Sequence, residues 1–220
     1  MNHLRGKFIV FDGGEGCGKS TQARLLREHL EAQQIPVLAV HDPGATRIGE
    51  MVREILLNPQ NTDMGMRCEM LLYMASRAQM MVEKILPALT AGQVVVSDRF
   101  VSSTLAYQLG GDGLTAEEIR KVGDIAIKGR WPDLTLILDL PVAASMARMR
   151  PKFTLFPDDP KAGMDLDRIE QRSMDYHEVV RQNYLNQVKA DPKRHRIIRS
   201  DRVAGEVFQD VLAALESLKA

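Results

Sequence analysis

Cysteine is scarce in this chain: of 220 residues, only Cys17 and Cys68 carry a thiol. They lack metal-ligand spacing and suggest no disulfide framework, which fits a reducing compartment. A surplus of either charge is missing as well. Lys plus Arg and Asp plus Glu each number 29. No global basic field therefore exists for wrapping duplex nucleic acid, although local basic clusters stay open. Long apolar runs are absent too, and no stretch approaches the roughly 20 residues of a membrane span. Arg5 and Lys7 precede an apolar run of only about four residues, too short for a secretory signal. The expected location is the cytoplasm. The five histidines, His29 and His177 among them, show no metal-ligand spacing.

What is present is ordinary for a globular protein. Hydrophobic residues make up 45% and charged residues 26% of the chain, which excludes disorder throughout. No repeat, low-complexity tract or linker divides it, so residues 1–220 read as one domain. Short apolar runs at 7–11, 36–40, 94–97, 134–140 and 196–199 read as strands. Helical patterns lie at 20–33, 47–57, 65–91, 116–128, 141–150, 166–190 and 203–218. Alternating strands and helices predict an α/β fold: a central parallel five-stranded sheet flanked by helices. The strands are continuously apolar, as burial on both faces requires. One irregular segment has no clear period, and residues about 150–167 are the expected lid.

The segment from Gly13 to Thr21 concentrates the chemistry. Gly13, Gly18, Lys19 and Ser20 match G-x-x-x-x-G-K-[ST], after one predicted strand and opening a predicted helix. Such a loop turns its N–H groups inward, and the helix adds its positive end, so it holds a nucleoside triphosphate. Gly13, Gly14, Glu15, Gly16, Cys17, Gly18, Lys19, Ser20 and Thr21 are the expected ATP-binding stretch. Lys19 serves the β- and γ-phosphates, Ser20 offers a hydroxyl to Mg²⁺, and Thr21 supports the helix start. Cys17 stands where a helix N-terminus lowers a thiol pKa. The loop alone does not name a reaction, because GTPases, motors and small kinases all use it. No Asn-Lys-x-Asp guanine reader is present, and size and topology favour a small kinase.

The run Ser97-Asp98-Arg99-Phe100 ends a predicted parallel strand, where such folds bind ligands. Asp98 there suits Mg²⁺ or its water, and Arg99 an acceptor phosphate. A surface ion pair is the plainer alternative, and position alone leaves both open.

The ordered set of motifs is more specific. The loop is followed by Asp42-Pro43-Gly44-Ala45-Thr46, then Tyr73-x-x-x-Arg77, then Asp98-Arg99 with Ala106-Tyr107-Gln108, then Pro132-Asp133-Leu134-Thr135 and Asp167-Arg168-Ile169-Glu170. Over residues 7–185 this order resembles the bacterial thymidylate kinase family, which phosphorylates dTMP to dTDP with ATP and Mg²⁺. The resemblance implies that Tyr73 stacks on thymine and that Arg77, Thr104 and Gln108 bind the base. It implies that Tyr107 closes on the sugar, that Arg53 and Arg99 grip the acceptor phosphate, and that Glu15 reaches the acceptor sugar. Asp42 stands for the acid of the R-E-P-G-G-T motif. Without the resemblance, Glu15 reads equally well as a solvated loop-tip charge. Gly16 occupies the position where some members carry a catalytic arginine. The resemblance is therefore to the type whose arginine comes from the lid, with Arg150 the first choice and Arg148 the second. Arg168 with Glu170 reads as an ion pair that positions the lid. Family members are homodimers, which makes the helix at 65–91 a plausible contact surface. Its Met66, Met70 and Met74 stripe reads as core packing. Asp12 replaces a frequent glutamate at the strand end, and the segment between Arg150 and Asp167 is longer than in short-lid members. Further departures fall at His41-Asp42, Ala45, Tyr73 and Asp112, and Asp112 replaces an arginine. These departures are expected to bear on the acceptor side. Two other readings remain: a kinase for another nucleoside or nucleoside monophosphate, and a nucleotide-binding protein without transfer chemistry.

Overall fold

A computed structural model describes residues 1–149 and 167–219. The chain alternates strand and helix through β1 (Phe8–Gly13), α1 (Lys19–Ala32), β2 (Val37–His41), α2 (Arg47–Leu57) and α3 (Met66–Met80). It continues through α4 (Leu86–Thr90), β3 (Val94–Asp98), α5 (Val101–Tyr107), α6 (Ala116–Ile127) and β4 (Leu134–Asp139). α7 (Val142–Met149), α8 (Met174–Ala190), β5 (His195–Arg199) and α9 (Ala204–Leu215) complete it. The strands form one sheet in the order β2-β3-β1-β4-β5, and every pairing is parallel. β1 is central and buried along its whole length, which explains its unbroken apolar run.

Two apolar layers sandwich the sheet. One joins Leu26 and Leu30 of α1 to Val207 and Val211 of α9. The other joins Met70 and Met74 of α3 to Ile119 and Ile127 of α6, so the methionine stripe is core packing. Parallel topology sends every strand in the same direction. Asp12, Asp42, Asp98 and Asp139 consequently lie at or just past strand ends on one edge of the sheet. The phosphate loop follows β1 at that edge.

The predicted helix at 65–91 runs through α3, a π-helical turn, Met81–Ile85, and α4 without a break in helical backbone. α5 was not expected from the sequence. It has seven residues, all buried, and a fully buried segment shows no amphipathic period. The pattern at 166–190 begins later than expected, because Ser173 caps α8 by accepting from Tyr176 N–H at 3.3 Å. The expected lid at 150–167 lies, apart from Asp167, outside the described residues.

Candidate active site

Two functional walls meet over the carboxyl edge of the sheet. They enclose a cleft of about 690 Å³, lined on one side by Glu15, Gly16, Gly18, Lys19, Ser20 and Thr21. Tyr73, Arg77, Thr104, Tyr107 and Gln108 line the same cleft, as do Asp42, Arg53, Asp98, Arg99 and Arg148. Arg150 is the one candidate outside the described residues.

The loop wall is preorganised by its backbone. Gly18 begins α1 at φ 96° and no side chain caps this helix, so its first N–H groups face the loop. Lys19 is buried and donates from Nζ to Gly14 O at 2.6 Å. Ser20 Oγ donates to Asp98 Oδ2 at 2.5 Å, which joins the two expected metal ligands across the β1–β3 seam. Gly13 has a packing reason of its own. A Cβ there, at φ 134°, would stand 2.4 Å from Leu138 O on the neighbouring strand. Gly13, Gly14 and Cys17 do not line the cleft. Cys17 also departs from expectation, because its side chain turns into the core and burial pushes the thiol pKa up. Position at a helix N-terminus is outweighed by loss of solvent.

Arg99 stands between the walls. Its φ of 70° aims the side chain back across β1. Nη2 donates to Glu15 Oε1 at 2.5 Å and to Tyr107 Oη at 3.3 Å, while Nη1 donates to Gly13 O at 3.1 Å. Tyr107 also donates to Glu15 Oε1 at 2.8 Å. Burial alone would raise the Glu15 carboxyl. Arg99 first, then Lys19 and Tyr107, overcome that and hold it at about 2. Glu15 is therefore a fixed anion in the site, not a solvated loop tip.

Behind Arg99 lies a network with no local sequence signature. Asp12 is fully buried. It accepts from Ser102 Oγ at 2.5 Å, Ser103 Oγ at 2.7 Å and Tyr184 Oη at 2.5 Å. Arg99 Nη1 lies 3.5 Å from the same carboxylate. The network ties β1, α5 and α8 to one guanidinium.

On the acceptor wall, Arg77 is buried with Asp42, with Nε donating to Oδ2 at 2.5 Å. Burial raises the Asp42 carboxyl against the pull of Arg77. Nη1 of Arg77 donates to Thr104 Oγ1 at 2.7 Å, and its guanidinium lies 5.7 Å from the Tyr73 ring centre. Burial raises the Tyr73 hydroxyl pKa, so that residue is a neutral aromatic here. Arg53 donates to Pro43 O at 3.0 Å and has no carboxylate partner among the described residues. A cation left unpaired in a cleft suits an anionic ligand.

Two expectations fail on this side. Arg168 does not pair with Glu170. It is buried against Glu69 at 2.5 Å and donates from Nε to Leu56 O at 3.0 Å, while Glu170 accepts from Asp167 N–H. Asp112 does not touch the acceptor cleft either. Its Oδ2 accepts from Arg67 N–H at 3.1 Å in the first turn of α3, where negative charge suits the helix dipole. Ala45 adopts φ 61°, in the left-handed region, where the resemblance leads one to expect glycine. Arg148 reaches the loop from α7, donating to Gly16 O at 3.4 Å and Ser200 O at 3.0 Å.

Sequence reasoning gave no role to Asp12, Ser103, Tyr184, Glu69 or Arg172. For Glu69 a signal existed, because it lies four residues before Tyr73 and eight before Arg77, on the same helical face.

Comparison with known proteins agrees with this geometry. The thymidylate kinase family model matches residues 11–211. A thymidylate kinase of Desulforudis audaxviator is 43% identical, over 98% of this chain and 92% of its own length. One from Caldanaerobacter subterraneus subsp. tengcongensis is 41% identical, over 97% of this chain and 96% of its own. The crystal structure of thymidylate kinase from Ehrlichia chaffeensis superposes with a TM-score of 0.75 at 28% identity, covering 96% of this chain and 99% of that one. With the model spanning nearly the whole chain and both walls of the cleft in place, the chain belongs to the thymidylate kinase family.

Proposed function

We infer that this cleft transfers the γ-phosphoryl group of ATP to dTMP, giving dTDP. The observation that carries the reading is the meeting of two chemistries in one cleft, the phosphate loop on one wall and Tyr73, Arg77, Thr104 and Gln108 on the other. Arg99 stands where they join.

Lys19 and the N–H groups of the loop hold the β- and γ-phosphates. Arg53 and Arg99 hold the acceptor phosphate, with Glu15 and Tyr107 fixing Arg99 in place. Tyr73 stacks on the base. Arg148 supplies positive charge from the donor side, and Arg150 is proposed as the catalytic arginine. Ser20 and Asp98 are the residues that would hold Mg²⁺. Two oxygen donors in contact at the cleft fit a hard cation completed by phosphate oxygens and water. When bound, such an ion neutralises charge on the β- and γ-phosphate oxygens.

The reading extends to assembly and place. On α3 and the turn after it, Cys68, Leu71, Ala75, Ala78 and Val82 are all exposed, at successive steps of three and four residues. That spacing is the seam of a helix pair. Ile48, Met51 and Ile55 extend the apolar surface on α2, which packs against α3. We propose a homodimer through this face, with Leu71→Glu giving a monomer by light scattering. Two free thiols fit a cytoplasmic enzyme.

The functional test is an ADP-release assay with ATP and Mg²⁺ and, in turn, dTMP, dUMP, dCMP, dGMP, UMP or no acceptor. Strong turnover with dTMP, weaker with dUMP and little with the others is expected. Turnover confined to another acceptor would refute the dTMP reading, and ATP binding without any product would refute transfer.

A further inference from the structure

Glu69 is a buried carboxylate that the phosphoryl-transfer reading leaves without a role. Its Oε2 accepts from Arg168 Nη2 at 2.5 Å and Arg172 Nη2 at 2.8 Å. Its Oε1 accepts from Gln108 Nε2 at 2.6 Å. The two arginines pin the group, and burial keeps it from bulk solvent.

A carboxylate flanked by two guanidinium groups accepts hydrogen bonds and does not donate them. Only the amino end of the Gln108 amide can face it. The carbonyl end is turned away from Glu69, and Gln108 lines the cleft. That carbonyl takes no hydrogen bond among the described residues. One turn before Gln108 stands Thr104, which accepts from Arg77 Nη1, while Arg77 Nε is taken by Asp42. The Nη2 of Arg77 has no partner among the described residues. The wall therefore offers the Gln108 carbonyl as an acceptor and Arg77 Nη2 as a donor to a ligand edge, together with the Thr104 hydroxyl hydrogen and Asp42 Oδ1, which also lack partners among the described residues.

Thymine and uracil match that edge, with a ring N–H at position 3 beside a carbonyl oxygen at position 4. Cytosine reverses both, with a lone pair at position 3 and an amino group at position 4. We propose that Glu69, without touching the base, sets the polarity of this reader and so makes the site select a pyrimidine with a protonated ring nitrogen over cytosine. It is a positioning residue, and the inference rests on reading the cleft as a dTMP site. A site built to pair a ligand group rejects analogues that leave its buried polar atoms unpaired, which is a stronger sieve than shape alone.

Glu69→Gln tests this while keeping the volume. A glutamine at 69 can donate to the Gln108 carbonyl and so turn the amino end of Gln108 to the cleft. The ratio of kcat/KM for dTMP over dCMP should fall by about tenfold or more. The 3-methyl derivative of dTMP, which lacks the ring N–H, should be about tenfold or more poorer than dTMP for the wild type and nearly equal to it for the variant. General damage to the site would lower every acceptor alike and leave both ratios in place. Unchanged ratios in a folded variant would overturn the proposal. If the variant does not fold, the wild type still decides. The Gln108 side-chain amide protons, assigned by their loss in Gln108→Leu, should exchange slowly without acceptor and move little when dTMP binds. Fast exchange and a large shift on binding would overturn it. A wild type with no preference for dTMP over dCMP would instead refute the reading of the cleft, and this inference with it.

Discussion

Replacing Glu15 by glutamine separates charge from shape at the centre of the site. Glu15 is held at about 2 in the folded protein against an ordinary value of 4.5, and its side chain is only 18% exposed. That displacement is worth on the order of 3 kcal/mol of folding free energy at neutral pH. The sign follows from the direction. A carboxyl depressed on folding contributes fully above the unfolded value of 4.5, and the contribution disappears as pH falls towards about 2. Other carboxylates titrate in the same window, so the informative quantity is the difference between wild type and Glu15→Gln. Urea unfolding at steps from pH 7 to pH 2.5 should show a gap of up to about 3 kcal/mol at neutral pH that narrows below pH 4.5. A gap independent of pH would refute the argument, because it would mean that shape and not charge couples Glu15 to Arg99 and Tyr107.

The remaining predictions concern neighbouring parts of the site. Tyr184→Phe removes one donor from buried Asp12 and leaves the others, so stability should fall by about 2 kcal/mol. The melting temperature should then drop by roughly 4–8 °C, and an unchanged value would show that the Asp12 network does not depend on Tyr184. Ala45→Gly relieves a left-handed backbone at φ 61° and should stabilise by up to about 1 kcal/mol, partly offset by unfolded-chain entropy. A clear loss of stability on chemical denaturation would contradict that. Lys19→Ala should lower kcat by on the order of 100-fold while calorimetric dTMP binding stays near wild type. Weakened dTMP binding would place Lys19 on the wrong wall.

The chain's own residues carried the fold class and the donor loop. Unbroken apolar runs separated by amphipathic segments specify a parallel sheet, because only strands covered on both faces need such runs. A glycine-rich turn between strand and helix is a local device, fully written in consecutive residues, and so is the capping box that starts α6 at Thr115 and Glu118. The acceptor wall was legible as a resemblance and not as physics, since Tyr73, Arg77, Thr104 and Gln108 come from two helices whose meeting no local rule states. Tertiary structure decided which of two plausible partners each charged group takes. Arg168 lies beside Glu170 in sequence and pairs with Glu69, ninety-nine residues away. Asp112 was expected at the acceptor and instead serves the first turn of α3. Cys17 sits at a helix N-terminus, yet its pKa follows its burial. For Arg168 and Cys17 the deciding term is desolvation: a buried charge must take the partner that the packed core places within reach, and a buried thiol has lost the water that would stabilise its anion. For Asp112, which is exposed, it is the free N–H groups at the start of α3.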